Sequence, residues 1–160
     1  MKVLALDLAT QLGWALKEGD KKPKFGTEKL HNTELDGAGY RFVRFYRFLE
    51  DHVDCDLIVY EAVQFASSTR ASQLYGGWLS TLQIFCEHHH IPYTGYNVKT
   101  VKKHWTGNGS ASKKEMVDTA RTKGFNPKTE DEADALAILH LALSEITSGE
   151  ASLLLLLRKD

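Results

Sequence analysis

The most informative stretch of this chain reads Thr129-Glu130-Asp131-Glu132-Ala133-Asp134-Ala135-Leu136-Ala137. Nearly every residue from 133 to 146 is apolar, which predicts a helix that is buried on most of its circumference. Asp134 lies on the same stripe as core residues of this helix, and Asp131 lies one turn before it. Two carboxylates on an inward face repel each other and are costly to desolvate unless a cation lies between them. The stretch therefore indicates a divalent metal site.

The acids at the start of this helix have a second interpretation, because carboxylates also stabilise the positive end of a helix dipole. The dipole explains Glu130 and Glu132 well. It explains Asp134 poorly, since this residue faces the interior. A metal site would require further carboxylates from elsewhere in the chain.

Length and composition predict one ordinary globular domain over residues 1–160. The net charge of −1 gives no overall attraction to a polyanion, so any nucleic-acid surface must be a local patch. Cys55 and Cys86 stand in apolar or helical sequence, which is typical of buried free thiols in a reducing compartment. With no signal-peptide pattern at the N-terminus and no membrane-length apolar run, we expect a cytoplasmic protein that does not contact a membrane.

Hydrophobic patterning predicts an α/β domain with a five-stranded mixed sheet flanked by helices. Three antiparallel strands come first, at 2–9, 12–18 and 25–30, and two parallel strands follow, at 57–60 and 91–96. The predicted helices cover 37–52, 71–89, 98–105, 112–123 and the acidic-headed segment.

Two further carboxylates stand at strand ends. Asp7 lies within the otherwise apolar first strand, and alternation places it on the opposite face from Leu6 and Leu8, although a strand-end aspartate can also simply turn to solvent. Glu61 closes the predicted strand at 57–60, where functional groups of α/β sheets are usually found. Four carboxylates without a histidine or cysteine favour Mg²⁺, with Mn²⁺ as a substitute. Two such ions form the clamp that is used for phosphodiester cleavage.

Several short motifs follow one another along the chain: Ala5-Leu6-Asp7, Gly13-Trp14-Ala15, Ile58-Val59-Tyr60-Glu61, Leu74-Tyr75-Gly76-Gly77, Val101-Lys102-Lys103, Gly107–Lys113 and Asp131–Ala137. In this order and spacing, they make the chain similar to RuvC-type Holliday junction resolvases of the ribonuclease H-like superfamily, and in particular to a phage-like member. Leu8-Ala9-Thr10 departs from the Pro-Gly-Ser that is usual in cellular members, and the segment after Glu61 also differs. These departures concern substrate and cleavage-sequence preference.

The resemblance implies a ribonuclease H-like fold with a two-metal active site. The family's four metal-binding catalytic acids fall on Asp7, Glu61, Asp131 and Asp134, and its basic catalytic residues fall on Lys102 and Lys113. It also implies a homodimer, because symmetrical cleavage of a junction needs two active sites. For a phage-encoded protein, the location would be the cytoplasm of the host cell.

A basic segment would supply the DNA surface. Between residues 99 and 128 there are eight lysines and arginines against two acids, although charge runs are often only solvated faces. Phe65 follows Glu61 closely and would wedge between bases at a branch point, or else pack in the core. The predicted DNA-binding residues are Phe65, Arg70, Lys99, Lys102, Lys103, Lys113 and Lys114.

The sequence and the resemblance together favour an Mg²⁺-dependent endonuclease with two ions per active site that resolves four-way or other branched DNA. Two alternatives stay open. One is a ribonuclease H-like nuclease that acts on RNA–DNA hybrids with the same acids. The other is a non-catalytic DNA-binding module that has kept the fold.

Overall fold

The computed structural model describes residues 1–64 and 67–149. Within these residues it contains five strands and five helices. The strands are β1 (Lys2–Asp7), β2 (Gln11–Glu18), β3 (Lys24–Lys29), β4 (Leu57–Ala62) and β5 (Tyr93–Asn97). The helices are α1 (Tyr40–Glu50), α2 (Thr69–His89), α3 (Val98–Thr106), α4 (Lys113–Thr122) and α5 (Glu130–Ser148).

The strands form a mixed sheet in the order β3-β2-β1-β4-β5. Strands β1, β2 and β3 pair antiparallel, whereas β4 runs parallel to both β1 and β5. This arrangement confirms the predicted fold class. In the shared register Asp7 pairs with Gly13 across β1 and β2, and Leu6 pairs with Tyr60 across β1 and β4. Asp7 and Glu61 therefore leave the sheet at the same edge.

The two faces of the sheet carry separate hydrophobic cores. Val3 and Ala5 pack with residues of α3, α4 and α5, whereas Leu4 and Leu6 pack with residues of α1 and α2. Burying an aliphatic side chain of this size contributes about 1.5–3 kcal/mol, so the alternation along β1 fixes both layers. Asp7 continues the alternation of Val3 and Ala5. It therefore lies on the face of the sheet that α5 covers.

Side-chain caps fix where α5 begins. The Thr129 hydroxyl accepts a hydrogen bond from the backbone N–H of Glu132 at 3.2 Å. The Glu132 carboxylate in turn accepts one from the backbone N–H of Lys128 at 2.6 Å, although its side chain is only 6% exposed. Glu132 is thus a buried part of the cap and not only a surface acid that faces the helix dipole. The cap sets which side chains of the first turn face the sheet.

Other predictions concern the chain as a whole. Cys55 and Cys86 are buried and free, as expected. Among the residues described, no helix has both the length and the apolar character that a bilayer crossing requires. Phe65 lies outside the described residues, as does the end of the proposed single domain at residues 150–160, and both stay predictions.

Candidate active site

The carboxyl ends of β1 and β4 place two acids side by side. These strands are parallel neighbours, and Asp7 and Glu61 come directly after the paired residues Leu6 and Tyr60. Both carboxylates are partly buried. The carboxyl edge of parallel strands is where α/β sheets usually place their functional groups, so the topology brings together two acids that are far apart in sequence.

The first turn of α5 is held against this edge by the absence of a side chain at Gly13. A Cβ atom at this position would overlap the backbone carbonyl of Asp131 and reach its Cβ atom at 3.0 Å. Gly13 is also the register partner of Asp7. Glycine is therefore required for a close approach of backbone to backbone, and this approach brings Asp131 next to the strand that carries Asp7.

Asp131 also has a hydrogen-bond partner that sequence reasoning missed. The side-chain amide of Gln11 donates to Asp131 Oδ2 at 3.1 Å. Gln11 is the first residue of β2, and no motif or periodicity connects it with a residue so distant in the chain. The bond fixes one oxygen of the carboxylate and leaves the other without a bond to Gln11.

Asp134 is the most enclosed of the four acids, with 8% of its surface exposed. The Lys113 ammonium donates to its Oδ2 at 2.9 Å and lies 4.0 Å from Glu130 Oε2. Lys113 is the first residue of α4, and the capping box between Ser112 and Glu115 fixes where that helix begins. The predicted basic residue and the predicted inward acid are thus in direct contact.

The pKa values of the two strand acids show how crowded the negative charge is. Burial is the largest cause that raises the pKa of Asp7, and together with the neighbouring carboxylates of Asp134, Glu61 and Asp131 it brings this pKa to about 8. Burial and Asp134 likewise raise the pKa of Glu61 to about 7. The four predicted acids therefore act on one another electrostatically. They are an unusually costly cluster of negative charge for a protein interior.

The two predicted basic residues oppose this charge. The positive charges of Lys113 and Lys102 lower the pKa of Glu61, and Lys113 also lowers that of Asp7. The Lys102 ammonium donates to the backbone carbonyl of Ala111 at 2.8 Å, which holds it beside the turn that precedes α4. Both lysines therefore lie within electrostatic reach of the acid cluster.

The donor set suits a hard cation, but the side chains do not form a finished binding site. Carboxylate oxygens are the ligands that Mg²⁺ and Mn²⁺ prefer. Across residues 1–64 and 67–149, no group of three or more histidine, cysteine, aspartate or glutamate side chains is arranged so that it could hold a metal ion. The four acids thus lie at one edge of the sheet and influence one another electrostatically, while their oxygens are not gathered around a single point.

The remaining predicted DNA-binding residues lie on the surface. Arg70, Lys99, Lys103 and Lys114 are all exposed. Lys99 and Lys103 line a shallow cavity of about 520 Å³ on α3, whereas Lys114 is paired with Asp118 at 2.6 Å.

Comparison with solved structures shows which fold this site belongs to. The structure of Thermus thermophilus RuvC is 23% identical, with a TM-score of 0.75 and coverage of 94% of this chain and 98% of that chain. The fold is that of RuvC. RuvC from the same organism in complex with a Holliday junction substrate matches at 22% identity with a TM-score of 0.75, over 95% of this chain and 96% of that chain.

A second Holliday junction resolvase is also similar in structure, at lower sequence identity. The yeast mitochondrial Holliday junction resolvase Ydc2 is 15% identical, with a TM-score of 0.59 over 85% of this chain and 75% of that chain. By sequence, the chain matches no protein-family model and no curated protein. The RuvC-like fold that the motifs suggested is confirmed. The prediction of a phage-like member has no support from these comparisons.

Proposed function

We propose that this protein is a metal-dependent endonuclease that cleaves four-way or otherwise branched DNA by phosphodiester hydrolysis. The observation that carries the proposal is the cluster of Asp7, Glu61, Asp131 and Asp134 at one edge of a RuvC-like sheet. Closely spaced, partly buried acids are costly, and carboxylates with pKa values as strongly raised as those of Asp7 and Glu61 are typical of functional sites. The RuvC structure in complex with a Holliday junction supports branched DNA as the substrate class.

Asp7, Glu61, Asp131 and Asp134 would hold two Mg²⁺ ions, for which Mn²⁺ would substitute. When bound, the ions supply an activated water nucleophile and stabilise the leaving oxygen. The side chains would have to reorient to take up the ions, and relief of the repulsion that raises the pKa of Asp7 and Glu61 would favour this change. Gln11 would keep Asp131 in place, because its amide already binds one oxygen of that carboxylate.

The two lysines beside the cluster would handle the substrate's negative charge. The Lys113 ammonium neutralises Asp134 in the free protein. When substrate binds, it would turn to an oxygen of the substrate phosphate. Lys102, held by the carbonyl of Ala111, would contact the same phosphate group from the side of α3. Both residues then stabilise charge that develops during cleavage, as preorganised donors do.

The surface lysines and Arg70 would contact phosphates away from the cleaved bond. Such contacts give affinity and salt dependence without sequence recognition. Phe65 would insert between bases at the branch point, a role that we keep from the family resemblance. The protein would act as a homodimer in the cytoplasm, with one active site for each of two symmetrical cuts.

The test is cleavage in Mg²⁺ of a synthetic four-way junction, compared with linear duplex and RNA–DNA hybrid of the same sequence. We expect wild-type protein to cut the junction preferentially and Asp7→Asn and Asp134→Asn to be inactive, with Asp54→Asn as an active surface control. Equal cleavage of junction and duplex would remove the structure selectivity. Preferential cleavage of the hybrid would favour the ribonuclease H alternative. Junction binding without cleavage in Mg²⁺ or Mn²⁺ would indicate a non-catalytic module.

A further inference from the structure

A cavity of about 340 Å³ opens beside Glu61, on the side away from β1. It lies where the adjacent strands β4 and β5 end and α3 begins. We call it the Glu61 cavity, and its lining residues are Glu61, Ala62, Val63, Gln64, Asn97, Val98 and Lys99. Its volume falls at the lower end of the roughly 300–1,000 Å³ that is usual for pockets for small organic ligands. It is far larger than a metal ion with oxygen ligands about 2.1 Å away requires.

The lining has the chemistry of a site for a flat, neutral, polar-edged group. Ala62, Val63 and Val98 supply apolar walls, and the amide side chains of Gln64 and Asn97 can both donate and accept hydrogen bonds. Among the described residues, Lys99 is the single cation of the lining, and its charge is matched by the carboxylate of Glu61. A phosphate group would therefore meet apolar walls and a like charge, whereas a nucleobase would find apolar faces and amide partners.

The walls of the cavity are held in place before any ligand arrives. The Tyr75 hydroxyl accepts a hydrogen bond from the backbone N–H of Val63 at 3.1 Å and donates one to the carbonyl of Glu61 at 3.1 Å. This bridge fixes the backbone of the strand end that carries the active-site acid. Because a rigid pocket loses little freedom on binding, the bridge favours ligand uptake.

Asn97 fixes the opposite wall and leaves a donor for a ligand. Its Oδ1 caps α3 by accepting a hydrogen bond from the backbone N–H of Lys99 at 2.8 Å. Its Nδ2 donates to no group within residues 1–64 and 67–149. The cap thus orients an amide N–H₂ group that can still pair with a base edge.

We propose that the Glu61 cavity receives one unstacked nucleobase of the substrate strand, next to the phosphodiester bond that the carboxylate cluster cleaves. The inference rests on the proposed function, because the cavity shares Glu61 with that cluster. It also gives a physical reason for structure selectivity. A base in continuous duplex has to leave its stack to enter the cavity, whereas a base at a branch point is already partly unstacked.

The experiment places a single abasic nucleotide at each position around the cleaved bond of a four-way junction. Affinity is measured by fluorescence anisotropy in EDTA, where no cleavage occurs, and single-turnover cleavage is measured in Mg²⁺. We expect one position at which loss of the base weakens binding to the wild-type protein by about tenfold, with smaller effects elsewhere.

Two variants connect that position with the cavity. Val98→Phe fills the space, and Asn97→Ser keeps a helix cap while removing the amide group. Val43→Phe serves as the control, because it makes the same valine-to-phenylalanine change at an exposed position of α1, which packs on the opposite face of the sheet from α3. We call the loss of affinity that the abasic nucleotide causes the abasic penalty. It should fall below about twofold in Val98→Phe and should be reduced in Asn97→Ser. In Val43→Phe it should stay as in the wild type.

The outcomes separate this inference from the proposed function. An abasic penalty at one position that disappears in Val98→Phe and is reduced in Asn97→Ser supports the nucleobase site. Equal penalties in wild type and both cavity variants, with junction cleavage intact, would overturn the nucleobase site alone. If Val98→Phe fails to fold by circular dichroism, the same comparison with Asn97→Ser decides the question. A wild-type protein that neither prefers nor cuts the junction would overturn both proposals.

Discussion

Two groups of carboxylates in this protein behave in opposite ways. On the surface, Asp54 accepts a hydrogen bond from the Lys2 ammonium at 2.6 Å, and this bond holds its pKa below the usual range. Asp118 has a lysine partner of the same kind, and its pKa is also lowered. At the end of the sheet, burial and neighbouring acids raise the pKa of Asp7 to about 8 and that of Glu61 to about 7.

The contrast separates surface acids, whose ionised form is slightly stabilised in the folded state, from inner acids, whose ionised form is destabilised there. Exposed ion pairs contribute little, typically about 0–1 kcal/mol each. The inner acids are unfavourable in the folded state whenever they are ionised, since their charges are partly desolvated and close together. The arrangement of the inner acids is therefore explained by the cations that they bind. Substitutions at the inner site and matched substitutions on the surface should have very different effects.

The largest effect is expected from Asp7→Asn. The substitution replaces a negatively charged carboxylate ligand of the cluster by a neutral amide, which holds a cation more weakly. Single-turnover junction cleavage in Mg²⁺ should therefore fall roughly 10³-fold or more. The matched change on the surface is Asp54→Asn, which should alter the cleavage rate less than about twofold. If both variants cleave the junction equally well, the distinction between the two groups of acids is wrong.

Gly13→Ala should have the next largest effect, although it changes no charged group. The added Cβ atom would push the backbone of Asp131 away from the sheet. A displacement of about 1 Å in an active site can cost roughly 100-fold in rate, and overpacking costs about 1–3 kcal/mol in stability. Cleavage and urea unfolding measure the two effects. Gly76→Ala is the control, because a Cβ there meets nothing within 4 Å. Wild-type cleavage by Gly13→Ala would show that this close contact does not position Asp131.

Lys113→Gln tests the cation that neutralises Asp134. Loss of the ammonium leaves a buried carboxylate without its partner, and we expect cleavage to fall roughly 10–100-fold. Lys114→Gln removes the same charge at the adjacent, more exposed residue and should have a much smaller effect at moderate salt. Equal losses in the two variants would mean that Lys113 contributes only general attraction to DNA.

The smallest effect on cleavage is expected from Gln11→Ala. Because Gln11 holds one oxygen of Asp131, its loss should weaken Mg²⁺ binding about tenfold without removing a ligand. The measurement is the Mg²⁺ concentration needed to stabilise the protein against thermal unfolding, which does not depend on activity. Gln73→Ala, at an exposed position of α2, is the control. Unchanged Mg²⁺ dependence in Gln11→Ala would exclude the positioning role.

The sequence predicted the sheet and the acid cluster because both depend on strong local patterns. Alternation along β1 assigned Asp7 to one face, and the unbroken apolar run before Glu61 marked a strand covered on both sides. Parallel pairing of these two strands then required their ends to meet. The buried side of α5 followed from its periodicity, and this periodicity also identified Asp134 as an inward acid.

Other features could not be predicted, because they depend on contacts between distant segments. Gln11 binds Asp131 across a long separation in sequence, and nothing around Gln11 indicates this. Glu132 looks like an ordinary first-turn acid, yet it is buried by its bond to the backbone of Lys128. The Glu61 cavity exists only because the ends of β4 and β5 lie side by side in the folded sheet.

The most direct test of the central claim is the pH dependence of unfolding, measured in EDTA and in excess Mg²⁺, for wild type and Asp7→Asn. Because the pKa of Asp7 is raised to about 8 in the folded protein, native Asp7 keeps its proton up to about pH 8, whereas the unfolded chain loses it near the ordinary aspartate pKa of 3.8. Over this window the native state binds more protons, so stability falls as pH rises. Subtracting the Asp7→Asn values cancels contributions from histidines and surface acids.

In EDTA, wild type should lose about 2 kcal/mol relative to Asp7→Asn between about pH 6.5 and about pH 9. In Mg²⁺ this loss should disappear, because a bound cation stabilises the ionised acids in the folded protein only. Equal unfolding free energies with and without Mg²⁺ at every pH, and no difference in slope between the two proteins, would contradict a metal site built from this cluster.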